Sequence, residues 1–62
     1  MAATVMDPVE QVRIDMNRLR GRLFQQVESW GLSVKREEAM KALIRRETYA
    51  AQADIEATLR ED

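Results

Sequence analysis

The sequence contains no cysteine and no histidine, and its 62 residues include two glycines, one proline and three aromatic side chains. Without cysteine or histidine, neither a disulfide framework nor the usual zinc spacings can form. A chain of this length also buries a smaller fraction of its surface than an average domain does, so we expect a thin core. Because neither disulfide bonds nor a structural zinc ion can stabilise such a chain, oligomerisation is the remaining ordinary route to stability.

Long apolar runs are also missing. No stretch approaches the roughly 20 residues of a membrane span, and the N-terminus lacks the basic-then-apolar order of a signal peptide. We therefore expect a cytoplasmic protein with no membrane partner.

The net charge is −1, which by itself predicts no affinity for nucleic acid. The charge is nevertheless unevenly placed along the chain. Residues 13–46 carry nine basic side chains against four acidic ones, whereas residues 47–62 carry one basic side chain against five acidic ones. An antiparallel assembly would bring the basic middle and the acidic end together.

A first helix is predicted at about residues 8–30. Asp7 can cap it, Pro8 suits the first helical position, and Glu10 can complete a capping box. Apolar residues then recur at spacings of three and four, which places them on one face of a helix. This stripe comprises Val9, Val12, Met16, Leu19, Leu23, Val27 and Trp30.

A tight corner at residues 31–33 follows. Gly31 can end the first helix in a left-handed conformation, and Ser33 can cap a second helix at about residues 34–60. Two helices of similar length with a short connection are expected to lie antiparallel. The sequence thus predicts an all-α helical hairpin at residues 7–62 behind a flexible tail at residues 1–6, with Trp30 capping the core at the turn.

The second helix has two apolar stripes. The wide stripe, which we expect to pack on helix 1, comprises Met40, Leu43, Ile44, Ala51, Ile55 and Leu59. The second stripe comprises Ala39, Ala42, Arg46, Tyr49, Ala53 and Glu56, and its first five residues are an expected oligomer interface. A single neighbour cannot cover both, so we expect homodimerisation into a four-helix bundle or a higher oligomer. The alternative is that alanine is present only because it is a good helix former, and that this face is exposed to solvent.

Catalysis is poorly supported by these residue types. Glu47 and Asp54 could project inward as a carboxylate pair, but such residues more often make salt bridges at the edge of a bundle. We expect no enzyme activity, no metal and no cofactor. A helix-turn-helix around residues 27–33 is a runner-up, but both helices are longer than that motif needs and Glu37 occupies a position that is normally apolar.

The basic residues are the strongest signal for a ligand. Arg45 and Arg46 precede Tyr49 by four and three residues, spacings that bring side chains together on a helix. Guanidinium groups suit phosphate, and a tyrosine ring can stack on a base. In a hairpin we expect Arg20 to lie level with Ile44. The expected ligand-binding set is Arg45, Arg46, Tyr49, Arg18, Arg22 and Lys41, and the alternative is a solvated basic face.

Two further apolar residues of helix 1, Ile14 and Phe24, lie off its main stripe. Single exposed apolar residues are common in proteins. Together, however, these two form a candidate surface for a partner protein.

The hairpin plan over residues 8–60, with arginine and tyrosine on its second helix, resembles small phage proteins that sequester cyclic nucleotide defence signals. It is also similar in length and plan to small plasmid-encoded hairpin dimers that bind RNA. These resemblances imply an oligomer that captures an anionic ligand and, if the protein is viral, a location in the host cytoplasm. From the residues we expect a non-enzymatic, homo-oligomeric helical protein that acts through protein–protein interaction. A cyclic nucleotide sponge, or RNA or DNA binding through a basic belt, are the alternatives.

Overall fold

The computed structural model describes residues 7–61 of the chain. They form two α-helices, α1 (Pro8–Ser29) and α2 (Val34–Arg60), and that part of the chain has no strand. The helices pack side by side, which confirms the predicted all-α helical hairpin. The flexible tail predicted at residues 1–6 lies outside the described residues, as does Asp62.

The ends of the helices follow from their capping residues. The Asp7 side chain accepts a hydrogen bond from the Val9 amide at 3.0 Å, and Ser33 Oγ accepts one from the Arg36 amide at 3.3 Å. Both bonds satisfy amides that have no partner within their helix. α1 ends at Ser29, one residue earlier than expected, and Gly31 has a φ of +70°, which favours glycine.

The hairpin is flat. The Cα atoms extend over 53 × 25 × 9 Å, so the molecule is one helix thick. Stable domains normally pack two layers of secondary structure around a core. A single layer leaves both broad faces of the hairpin open.

The wide stripe of α2 does not pack on α1 as expected. Leu43 is 43% exposed, Ile55 41% and Leu59 38%. Only Met40 and Ile44 of that stripe are half-buried. The expectation was wrong because α2 is rotated about its axis, so that a row of polar side chains faces α1 instead.

Buried positions within residues 7–61 are correspondingly few. Val27 is the one buried apolar side chain there, at 1% exposure, and the buried polar side chains are Arg20, Thr48 and Glu56. Trp30, which was expected to cap the core, is 54% exposed. The hairpin therefore has almost no apolar core of its own.

A row of hydrogen bonds joins the helices, and we call its residues the polar seam: Arg13 and Arg20 of α1, with Thr48, Gln52 and Glu56 of α2. Arg13 donates two bonds of 3.3 Å to the Glu56 carboxylate. Arg20 donates to Thr48 Oγ1 and to Gln52 Oε1, also at 3.3 Å. No buried side-chain nitrogen or oxygen of the described chain lacks a hydrogen-bond partner. The seam is thus satisfied without further ligands.

Candidate functional site

The side-chain contacts across the hairpin differ from those expected for a basic belt. Arg20 contacts Thr48 and Gln52, at least one helical turn beyond Ile44. Helical side chains lean towards the N-terminus of their own helix. In an antiparallel pair the two leans are opposed, so contacting residues are displaced from those at equal height.

Two members of the expected ligand set are held by carboxylates. Lys41 Nζ lies 2.6 Å from Glu28 and 3.4 Å from Glu37. The hydrogen bond to Glu28 is the main reason why the pKa of Lys41 is raised. Arg46 Nε lies 3.3 Å from Glu47 on the surface of α2.

Arg18 and Arg22 lie apart from the other members of that set. They line a shallow depression of about 220 Å³ on α1 together with Asp15 and Leu19. Tyr49 lies instead beneath Arg20, whose guanidinium carbon is 3.8 Å from the ring centroid. The structure therefore does not gather Arg18 and Arg22 with Tyr49 into one pocket.

A second aromatic contact lies next to the Arg20–Tyr49 pair. Arg45 and Lys41 of α2 approach the Phe24 ring of α1, at 5.6 and 5.9 Å from its centroid. These distances are within the range of cation–π attraction. The Phe24 ring, expected to meet a partner, is half-buried beside these two cations, and Ile14 is half-buried as well. We call the side of the hairpin that carries Phe24, Arg45 and Tyr49 the polar face.

Glu56 is the electrostatic centre of the seam. It is 8% exposed and lies within 3.4 Å of both Arg13 and Arg60. Hydrogen bonds from Gln52 and from Arg13, in that order, hold the pKa of Glu56 below its usual value. The same contact raises the pKa of Arg13. The Arg13–Glu56 ion pair holds the two helices together near the open end of the hairpin, which is the end away from the turn.

The opposite broad side of the hairpin carries most of the larger apolar side chains, and the exposed Glu47 lies among them, since it follows Ile44 by three residues and precedes Ala51 by four. Successive residues of a helix are about 100° apart, so Met16 and Leu23 lie across the seam from Phe24, and Ile44 lies across it from Arg45. We call this side the apolar face. It comprises Val12, Met16, Leu19 and Leu23 of α1 with Met40, Leu43, Ile44, Ile55 and Leu59 of α2.

Each end of the apolar face carries a groove. Near the turn, a groove of about 400 Å³ is lined by Trp30, Leu32, Arg36, Ala39 and Met40. At the open end, a groove of about 240 Å³ is lined by Asp54, Ile55, Thr58 and Leu59. In both grooves a charged side chain borders apolar ones.

The second stripe also lies on the surface. Five of its residues, Ala39, Ala42, Arg46, Tyr49 and Ala53, are exposed, whereas Glu56 is buried in the polar seam. That it forms an oligomer interface stays a prediction. It now competes with the apolar face, which carries larger apolar side chains.

Sequence reasoning missed the role of the polar seam. Thr48, Gln52 and Glu56 follow one another at intervals of four, the spacing of a single helix face. That regular polar row opposite Arg13 and Arg20 was the signal that could have identified it. Polar rows usually face solvent, whereas this one faces α1.

The chain was compared with protein-family models, with curated proteins and with solved structures, and it matches none of them. Over residues 7–61, neither helix has an apolar stretch long enough to cross a bilayer. The same residues contain no group of three or more side chains placed to hold a metal ion.

Proposed function

We propose that the protein is a small, non-enzymatic, homo-oligomeric helical binding protein that acts through protein–protein interaction, with the apolar face as its binding surface. One observation carries this proposal. Leu19, Leu43, Ile55 and Leu59 are each about 40% exposed on a hairpin whose described part buries a single apolar side chain, Val27. Several large apolar side chains exposed on one side of a protein mark interaction sites.

The energetics support association through this face. Burial of apolar surface contributes roughly 25 cal/mol per Å². This flat hairpin obtains little of that free energy by itself, because Val27 is the one fully buried apolar side chain in its described part. Since the polar seam is already satisfied, the gain from a partner lies on the apolar face.

Sedimentation velocity over a range of protein concentrations tests the proposal. Leu43→Glu places a charge on the apolar face and is expected to give monomers, whereas the natural chain forms oligomers. Ala53→Glu is the matched control on the second stripe and should leave the oligomer intact. Dissociation by Ala53→Glu but not by Leu43→Glu would assign the interface to the second stripe and overturn the choice of face.

A second candidate function is capture of an anionic ligand, such as a cyclic nucleotide, on the polar face. It is supported by Arg45, which makes no ion pair within residues 7–61 and lies beside Phe24, one turn before Tyr49. Calorimetry with cyclic di- and trinucleotides tests it, with Arg45→Ala as the variant and Lys35→Ala as the control. Absence of heat at high protein concentration would end this candidate. RNA or DNA binding would instead show steep salt dependence.

A further inference from the structure

We infer that a second copy of this chain covers the apolar face, with the two hairpins antiparallel about a two-fold axis that crosses both helices near their middle. The turns of the two copies then lie at opposite ends of a four-helix bundle. α1 packs on α1 of the other copy, and α2 on α2. This inference rests on the proposed function and specifies the partner and its orientation.

The first support comes from charges at the edge of the apolar face on α1. In one depression, which Arg18 also lines, Asp15 and Arg22 flank Leu19. They are seven residues apart, about two helical turns, so they lie on the same side of α1. Asp15 accepts a hydrogen bond from Gln11 at 3.0 Å, and neither Asp15 nor Arg22 makes an ion pair with any described residue.

Two-fold symmetry gives these two charges partners. When a helix pairs with an antiparallel copy of itself, a residue that precedes the axis by some distance in one copy meets the residue that follows the axis by the same distance in the other. Asp15 of each copy then meets Arg22 of the other if the axis passes between residues 18 and 19. That point is also the midpoint of α1, which runs from Pro8 to Ser29.

α2 carries an equivalent pair. Arg36 borders the groove near the turn and Asp54 borders the groove at the open end. They are 18 residues apart, about five turns, and thus share one side of α2. Neither makes an ion pair within the described part of the chain. Arg36 of one copy meets Asp54 of the other if the axis passes residue 45.

The two positions agree with each other. Residue 45 lies eleven residues after Val34, and the point between residues 18 and 19 lies ten to eleven residues before Ser29. At about 1.5 Å per residue, both are roughly 16 Å from the turn. A single axis therefore satisfies the pairs on both helices, although each position was obtained from a different pair of residues.

Packing with both turns at the same end is the alternative. It would place α1 over α2 of the other copy and bring the two acidic ends together, and residues 47–62 carry five acidic side chains against one basic. Like charges at an interface disfavour an arrangement, and complementary charges select one. The apolar face drives association in either arrangement. The charges favour the one in which the turns of the two copies lie at opposite ends of the bundle.

Single cysteines distinguish the two arrangements without ambiguity, because the chain has no cysteine of its own. Leu19→Cys places a thiol beside the proposed axis, and Trp30→Cys places one at the turn. With a short bis-maleimide crosslinker we expect efficient dimer formation for Leu19→Cys and little for Trp30→Cys. The reverse result would establish turns at the same end and overturn the inference.

Charge reversal provides a second test. Asp15→Arg and Arg22→Asp should each weaken the dimer about tenfold, because each creates two like-charge contacts. The double variant should restore the dimer to within about twofold of the natural chain. A double variant as weak as the single ones would overturn the pairing. Circular dichroism of each variant checks that both helices remain formed.

The outcomes also separate this inference from the proposed function. An oligomer that crosslinks at neither cysteine contradicts the arrangement and leaves a protein-binding function in place. A chain that stays monomeric at every concentration contradicts the inference. If such a monomer captures another protein in a manner abolished by Leu43→Glu, protein binding through the apolar face still stands.

Discussion

The guanidinium carbon of Arg20 lies 3.8 Å from the centroid of the Tyr49 ring. The same guanidinium donates hydrogen bonds to Thr48 and Gln52, and Arg20 is only 6% exposed. One side chain of α1 therefore binds three residues of α2 near the middle of the hairpin. This contact helps to determine which side of α2 faces α1, and thereby which side is left for a partner.

Replacement of Arg20 should accordingly destabilise the hairpin. Arg20→Ala removes the hydrogen bonds to two neutral acceptors, Thr48 Oγ1 and Gln52 Oε1, worth about 1 kcal/mol for each acceptor, and a cation–π contact of similar size. We expect the free energy of unfolding to fall by about 3 kcal/mol, measured by urea denaturation at one fixed protein concentration. Lys35→Ala, at an exposed position, is the control and should change it by less than about 0.5 kcal/mol. Equal effects of the two substitutions would contradict the role assigned to Arg20.

Much of the fold could be predicted from local signals. Asp7, Pro8, Gly31 and Ser33 act within a few residues of their own positions, so they fix the ends of the helices without knowledge of the tertiary structure. The rotation of α2 could not be predicted in this way. An apolar stripe such as that around Leu43 indicates that a surface is to be buried, but it does not tell whether the chain's own helix or a second copy buries it.

The candidate ligand set shows the same limit. The spacing of Arg45 and Tyr49 along one helix was readable from the sequence. Whether Arg18 or Arg20 lies close to Arg45 and Tyr49 depends on which side of α1 faces α2. That choice depends on contacts between side chains that are 28 to 43 residues apart, and no local pattern encodes it.

Acidification should weaken the open end of the hairpin through Glu56. Gln52 and Arg13 lower the pKa of this carboxyl from its ordinary value of 4.5. A carboxyl whose pKa is lower in the folded chain contributes stability above its unfolded-state pKa, and this contribution is lost as the pH falls through the folded value. The free energy of unfolding should therefore decrease as the pH falls below about 4.5.

Glu56→Gln tests this assignment, since it removes the titrating group and retains most of the shape. Thermal unfolding at a series of pH values should show a shallower acid dependence for this variant than for the natural chain. Glu38→Gln, on the surface of α2, is the control and should leave the profile unchanged. Identical profiles for Glu56→Gln and the natural chain would show that other groups cause the acid sensitivity.

Val27 and Leu19 should respond differently to truncation. Val27 is 1% exposed inside the hairpin, whereas Leu19 is 41% exposed on the apolar face. Val27→Ala removes two buried carbons and should cost about 2 kcal/mol at every protein concentration. Leu19→Ala should mainly weaken association, so its effect on the midpoint of unfolding should grow as the concentration rises. Parallel concentration dependences for the two variants would contradict burial of Leu19 between copies.

The two glycines of the chain provide a matched pair with opposite expected signs. Nothing lies within 4 Å of a Cβ placed at either position, so backbone conformation alone decides the effect. Gly31 has a φ of +70°, where an L side chain costs roughly 1–2 kcal/mol, and Gly31→Ala should destabilise the turn by that amount. Gly21 lies inside α1, where alanine is favoured over glycine by about 1 kcal/mol, so Gly21→Ala should stabilise the hairpin.

Chemical denaturation of both variants at one concentration measures the difference of roughly 2–3 kcal/mol that follows from these terms. A destabilising Gly21→Ala would mean that a second chain approaches the backbone of α1 at this point. The proposed bundle predicts no such approach, because Gly21 lies on the side of α1 away from the apolar face.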